Sequence, residues 1–230
     1  MAARNDRTSR NKRRGYGGGR GFTLLETALA TVIIGVGILA LIEAQAAFSR
    51  HNDFSSSSAT GAYLCNELRE RMRGLPRHDP VAGLYFASSN GQAATLRGWG
   101  REEGETTPGD FNDTDDFDGL TFGAGGDFPG PINSRSDVLA EIGRDGQPLP
   151  GAGGQPVSMR GWWQVVTVDK VDPQNFATVR AESYVRPAVP PDFAGLDVHQ
   201  FPLRVTVTVF YQGPTDTERQ QVARLVWIAP

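Results

Sequence analysis

From Phe22 to Ile42 run 21 residues with a single charge, Glu26. Fifteen of them are apolar, three are threonine and two are glycine. A helix of about 20 such residues crosses a bilayer core. A removable secretory signal has a shorter apolar core, about 7–15 residues, and then a small-residue cleavage site. Here the apolar run leads straight into further helical spacing, so a membrane anchor fits better. The charge around it is lopsided. Residues 1–21 hold seven bases (Arg4, Arg7, Arg10, Lys12, Arg13, Arg14, Arg20) and one acid, Asp6. The remaining 209 residues hold 16 of the 23 bases and 25 of the 26 acids. Bases ahead of a span keep the N-terminus in the cytoplasm. Everything beyond about Phe48 is then expected across the membrane.

Glu26 is the anomaly of the span. A carboxylate at the centre of a bilayer-spanning helix costs about 2.5–3.5 kcal/mol on insertion scales. Near the cytoplasmic end it could be solvated at the interface. It could also have a cationic partner. Residue 22 lies one helical turn before residue 26 on the same face. Cutting the chain just before Phe22 would place a free amine there.

The string Gly21-Phe22-Thr23-Leu24-Leu25-Glu26, after a basic leader and before an apolar run, resembles the class III signal of type IV prepilins. The resemblance implies that a prepilin peptidase cuts between Gly21 and Phe22 and that Phe22 becomes N-methylated. It implies that Glu26 is the carboxylate that docks the subunit into a growing filament. It also implies an α+β, type IV pilin-like fold: a long N-terminal helix, membrane half plus amphipathic half, packed on an antiparallel β-sheet. Glu43 stands where many major pilins carry a proline. The partners expected are the prepilin peptidase, other pilins or pseudopilins, the inner-membrane assembly platform and the membrane itself. The expected location is the bacterial inner membrane, single-pass with the C-terminal domain periplasmic, and then the pilus or pseudopilus.

Helical spacing continues beyond the span. Phe54, Ser58, Gly61, Cys65, Leu68 and Met72 step by four and three and define one face, widened by Leu64 and Ala62. Gly74 and Pro76 supply a stop. The spacing predicts a helix from about Phe22 to Arg73, roughly 80 Å long. The four serines Ser55–Ser58 are the expected weak point. Cys65 is the one cysteine, so no disulfide can form within the chain. Its place on the stripe reads as a small core residue rather than a reactive thiol. The segments expected are thus a cleaved leader 1–21, a membrane or filament-core helix 22–48, an amphipathic continuation 49–74, and a periplasmic head 75–230 with a glycine-rich loop over 98–160.

Fourteen of the 28 glycines fall between residues 98 and 154, which reads as extended loop. Asp110, Asp113, Asp115, Asp116 and Asp118 put five acids into nine residues of it. An EF-hand register on Thr114, Asp116, Asp118 and Gly119 puts Thr at the first ligand position and Gly125 where a glutamate is required, so an EF-hand loop is not expected. Two readings stay open: a looser Ca2+ site built from Asp113, Asp115, Asp116 and Asp118, or a solvated turn whose aspartates cap their own backbone. Asp-Asp-Phe-Asp-Gly-Leu also resembles a short segment in minor pilins of the mannose-sensitive haemagglutinin type. Further on, Leu203–Tyr211 alternates with a period of two and pairs naturally with Gln221–Ile228 across a turn at Gly213–Arg219. Trp162–Val168 and Phe176–Val185 form a second expected pair, and Trp162, Trp163 and Trp227 read as core or sheet-face residues.

No nucleophile elbow, P-loop or zincin motif occurs, and the three histidines match no zinc spacing. Catalysis is not expected, and neither is a cofactor, Ca2+ apart. The basic leader lacks aromatic interleaving and the rest of the chain is acidic, so nucleic acid is not an expected partner. The function expected is that of a minor pilin subunit supporting adhesion, motility or pilus biogenesis. The rivals are a minor pseudopilin of a type II secretion system and, in a different class, a signal-anchored periplasmic enzyme or binding module.

Overall fold

The computed structural model describes residues 23–88, 94–151, 154 and 156–230. Gly21 and Phe22, the expected cleavage pair, lie outside the described residues. The chain divides into two units, residues 1–50 and 51–230.

In the described part of the first unit the only regular element is the start of helix α1 (Leu24–Met72). Its stretch through Ile42 is long and apolar enough to cross a membrane, and none of that window is buried in the protein. Leu24, Leu25, Leu29, Val32, Ile33, Ile34, Ile38 and Leu39 are all exposed, on every side of the helix. A helix apolar all round suits lipid or the centre of a bundle, not water.

The second unit, residues 51–230, is α+β. The helix is continuous through Ser55–Ser58, so the expected weak point does not break it. Here α1 becomes one-sided. Gly61, Leu64, Cys65, Leu68 and Met72 are buried, whereas Phe54 and Ala62 stay exposed, so the buried face is narrower than the spacing suggested.

Five strands make the main sheet. They are β3 (Thr121–Gly123), β4 (Trp162–Asp172), β5 (Asn175–Val179), β6 (Leu203–Tyr211) and β7 (Gln220–Ala229). Their order is β3-β4-β6-β7, with β5 folded back on the end of β4, and every pairing is antiparallel. The β6–β7 hairpin matches the period-two pattern, with Val207 opposite Leu225. Strand β5 stops at Val179, short of the expected Val185. A separate hairpin joins β1 (Tyr85–Ala87) to β2 (Thr95–Arg97).

The core forms where the α1 stripe meets Val166 and Val168 of β4 and Leu203, Val205, Val207 and Val209 of β6. Each such aliphatic side chain removed from water contributes about 1.5–3 kcal/mol. The glycine-rich segment is irregular, as expected, but it is packed rather than draped. Phe111, Phe117, Phe122 and Ile132 from it are at most 2% exposed and complete the core. Phe117 meets Phe111 edge-on at 5.0 Å and Phe122 at 6.3 Å. Trp162 and Trp163 are buried, and Trp227 packs half-buried at the core edge.

Candidate functional site

Phe117 explains the most unusual feature of the molecule. It ends a short 3-10 turn, Asp115–Phe117, and its buried ring pulls that turn inward. The turn is pinned from below as well. Thr114 donates its N–H to the Pro76 carbonyl at 2.9 Å and its hydroxyl to the same oxygen at 2.8 Å. Asp113, Asp115 and Asp116 are consequently at most 1% exposed. A solvated acidic turn is therefore excluded: these carboxylates sit in the protein interior.

Their oxygens divide the work. Asp113 Oδ1 accepts the Asp116 N–H at 3.1 Å. Asp116 Oδ2 accepts the N–H groups of Asn112 at 2.9 Å and Asp113 at 3.0 Å. Asp115 Oδ2 and His78 Nδ1 share a hydrogen bond at 2.8 Å. The second oxygens, Asp113 Oδ2, Asp115 Oδ1 and Asp116 Oδ1, are buried with no hydrogen-bond partner, as are both oxygens of Glu102. One oxygen each of Glu102, Asp113 and Asp116 lies within 4.8 Å of the others. Glu102 is held by its neighbours: its N–H donates to Glu105 Oε2 at 3.0 Å, and Glu105 Oε1 accepts from Asn112 Nδ2 at 2.9 Å.

Burial disfavours the charged carboxylates, and their mutual repulsion adds to it. Burial first, then the adjacent Asp115 carboxyl, lifts Asp113 to about 9. Burial followed by the charges of Asp116 and Asp113 raises Glu102, and burial raises Asp115 and Asp116 above the usual range. Burial pulls His78 down to about 4, so it is a neutral hydrogen-bond partner of Asp115 rather than a countercharge. Among the described residues no arginine or lysine forms a salt bridge with Glu102, Asp113 or Asp116.

Of the four aspartates expected together, the structure brings Asp113 and Asp116 together, turns Asp115 partly toward His78, and uses Asp118 elsewhere. Asp118 Oδ1 accepts the Val168 N–H at 2.8 Å and Oδ2 accepts from Trp99 Nε1 at 3.3 Å. It fastens the loop to β4 and is not part of the cluster. Glu102 takes the fourth place. No motif spacing marks it, since an irregular loop sets its distance from Asp113.

Glu26 occupies a different kind of site. Thr23 Oγ1 accepts the Glu26 N–H at 3.2 Å, which caps α1 and puts Glu26 in its first turn. The hydroxyls of Thr27 and Thr31 bond back to the carbonyls of Leu24 at 2.9 Å and Thr27 at 2.8 Å. The threonine hydroxyls of the apolar stretch are thus satisfied inside the helix, whereas Glu26 is exposed. No protein-family model, no curated protein and no solved structure matches the chain.

Proposed function

We propose that the protein is a minor subunit of a type IV pilus-like filament. It is made with a basic leader, cut between Gly21 and Phe22 by a prepilin peptidase, methylated at Phe22 and assembled through its N-terminal helix. The observation that carries this reading is the exposed Glu26 in the capped first turn of a helix that carries no other charge through Ile42 and exposes apolar side chains on every side of that stretch. A plain membrane anchor has only the helix dipole and interfacial water to offset the cost of a carboxylate there. A subunit that leaves the bilayer for a bundle of identical helices gains an address, because the carboxylate pairs with the amine created at Phe22, in its own or a neighbouring chain. The helix dipole favours the same charge at this end. Threonine hydroxyls that close on their own helix suit both lipid and bundle. The chain sits first in the inner membrane, N-terminus cytoplasmic and everything beyond about Phe48 periplasmic, and then in the filament.

The test is intact mass and localisation in cells that express the assembly system. The mature chain is expected to begin at N-methyl-Phe22, and Glu26→Ala is expected to be cut normally yet to be missing from sheared filaments. A chain that keeps residues 1–21 beside an active peptidase would refute the processing. Normal incorporation of Glu26→Ala would refute the docking role.

A further inference from the structure

We propose that Glu102, Asp113 and Asp116 form a binding site for one Ca2+ ion. The inference stands on the orphaned oxygens rather than on the abundance of acids. Asp113 is 0% and Asp116 1% exposed, and each uses one oxygen to brace the loop backbone. That bracing fixes the carboxylate planes and leaves Asp113 Oδ2 and Asp116 Oδ1 without a partner. Buried polar groups in native proteins are almost always satisfied, and a buried charge without a partner is costly. Both oxygens of Glu102 are unpartnered too, and one of them lies within 4.8 Å of the Asp113 and Asp116 oxygens, with the Glu102 backbone held by the Glu105–Asn112 bridge.

The chemistry selects the ion. The three ligands are all carboxylates, with no cysteine or histidine among them, which suits a hard cation and not Zn2+. Two oxygens on opposite sides of a Ca2+, each at about 2.4 Å, stand about 4.8 Å apart. The three carboxylates fall within that reach. Ca2+ accepts irregular sets of six to eight oxygens, so water and loop carbonyls can fill the rest, whereas Mg2+ demands a near-ideal octahedron.

The experiment uses the full chain in detergent, stripped with EDTA and titrated calorimetrically with CaCl2, with MgCl2 as comparator. Saturable binding of one Ca2+ per chain is expected, tighter than Mg2+. The thermal midpoint is expected to rise by about 5–10 °C at a hundredfold excess over Kd. Asp113→Asn is expected to weaken Ca2+ binding about tenfold or more. Glu102→Gln, at the half-buried edge of the site, is expected to do the same while circular dichroism shows an intact fold. Asp118→Asn lies outside the ligand set and is expected to lower the midpoint but keep the Ca2+ affinity. No saturable Ca2+ binding, with equal midpoints in CaCl2 and EDTA, overturns the proposal. So does parental affinity in both Asp113→Asn and Glu102→Gln, or tighter binding of Mg2+.

Discussion

Gln164 on β4 and Ile132 in the glycine-rich segment are joined by a two-way amide clamp. Gln164 Oε1 accepts the Ile132 N–H at 2.7 Å, and its Nε2 donates to the Ile132 carbonyl at 3.1 Å. The same Nε2 donates to the Leu64 carbonyl of α1 at 3.0 Å. One fully buried side chain therefore ties helix, sheet and loop together. Gln164→Leu keeps the volume but leaves the Ile132 N–H and carbonyl buried and unpaired. Each unpaired group costs about 1–3 kcal/mol, so a loss of about 2–6 kcal/mol is expected in thermal unfolding followed by circular dichroism. A loss below about 1 kcal/mol would show that the clamp is not what holds the loop.

The clamp also marks the limit of what the chain reveals before it folds. The α1 stripe and the β6–β7 hairpin were legible because periods of 3–4 and of two are local signals. Asp113 and Asp116 were legible as acids, but their burial was not. It follows from Phe117 packing between Phe111 and Phe122, contacts between segments that carry no period. Asp118 looked like a fourth ligand because it is two residues from Asp116, yet its partners Trp99 and Val168 lie 19 and 50 residues away. Glu102 was hidden for the same reason in reverse.

Gly61 lets α1 approach the sheet closely. A Cβ built there would lie 2.8 Å from Val222 Cγ2 and 3.0 Å from Ala223 Cβ, both on β7. Glycine inside a helix costs about 1 kcal/mol against alanine, and here the close packing accounts for it. Gly61→Val is expected to push the helix off β7 and destabilise the second unit by about 1–3 kcal/mol. Gly61→Ala gains helix propensity and loses room, so its net effect should be smaller than that of valine. The check is the ranking of unfolding midpoints, and a valine variant as stable as the parent would contradict the packing.

Cys65 is 2% exposed, and its thiol faces the Val207 carbonyl at 3.7 Å. Burial pushes the thiol up to about 11. Only the thiolate reacts with electrophiles, so the folded chain offers little of it at pH 8. Iodoacetamide is expected to label Cys65 quickly in urea and at least about tenfold more slowly in the native protein. Equal rates in both states, read by intact mass, would place this thiol at the surface.

Lys170 on β4 is 1% exposed, donates its ammonium to the Glu182 carbonyl, and lies 5.5 Å from the centre of the Phe201 ring. Burial pulls it down to about 8, against the opposing pull of the charges on Glu182 and Asp115. The folded-state value is below that of the unfolded chain, about 10.4. The unfolded chain therefore holds the proton more tightly, and stability rises with pH across that window. Below about pH 8 the folded protein carries the whole cost of the buried charge, and above the unfolded-state value it carries none. Lys170→Met removes the charge and keeps most of the length. The variant is expected to be more stable than the parent at pH 7, and the difference is expected to shrink steadily between pH 8 and 10.5. Comparing the two chains at each pH cancels the titration that they share. Asp113 also titrates in this window, so the slope in the difference, not in either curve alone, reports on Lys170. A variant that is less stable at pH 7, or a difference that is flat across the window, would show that the carbonyl and ring contacts fully offset the burial of the ammonium.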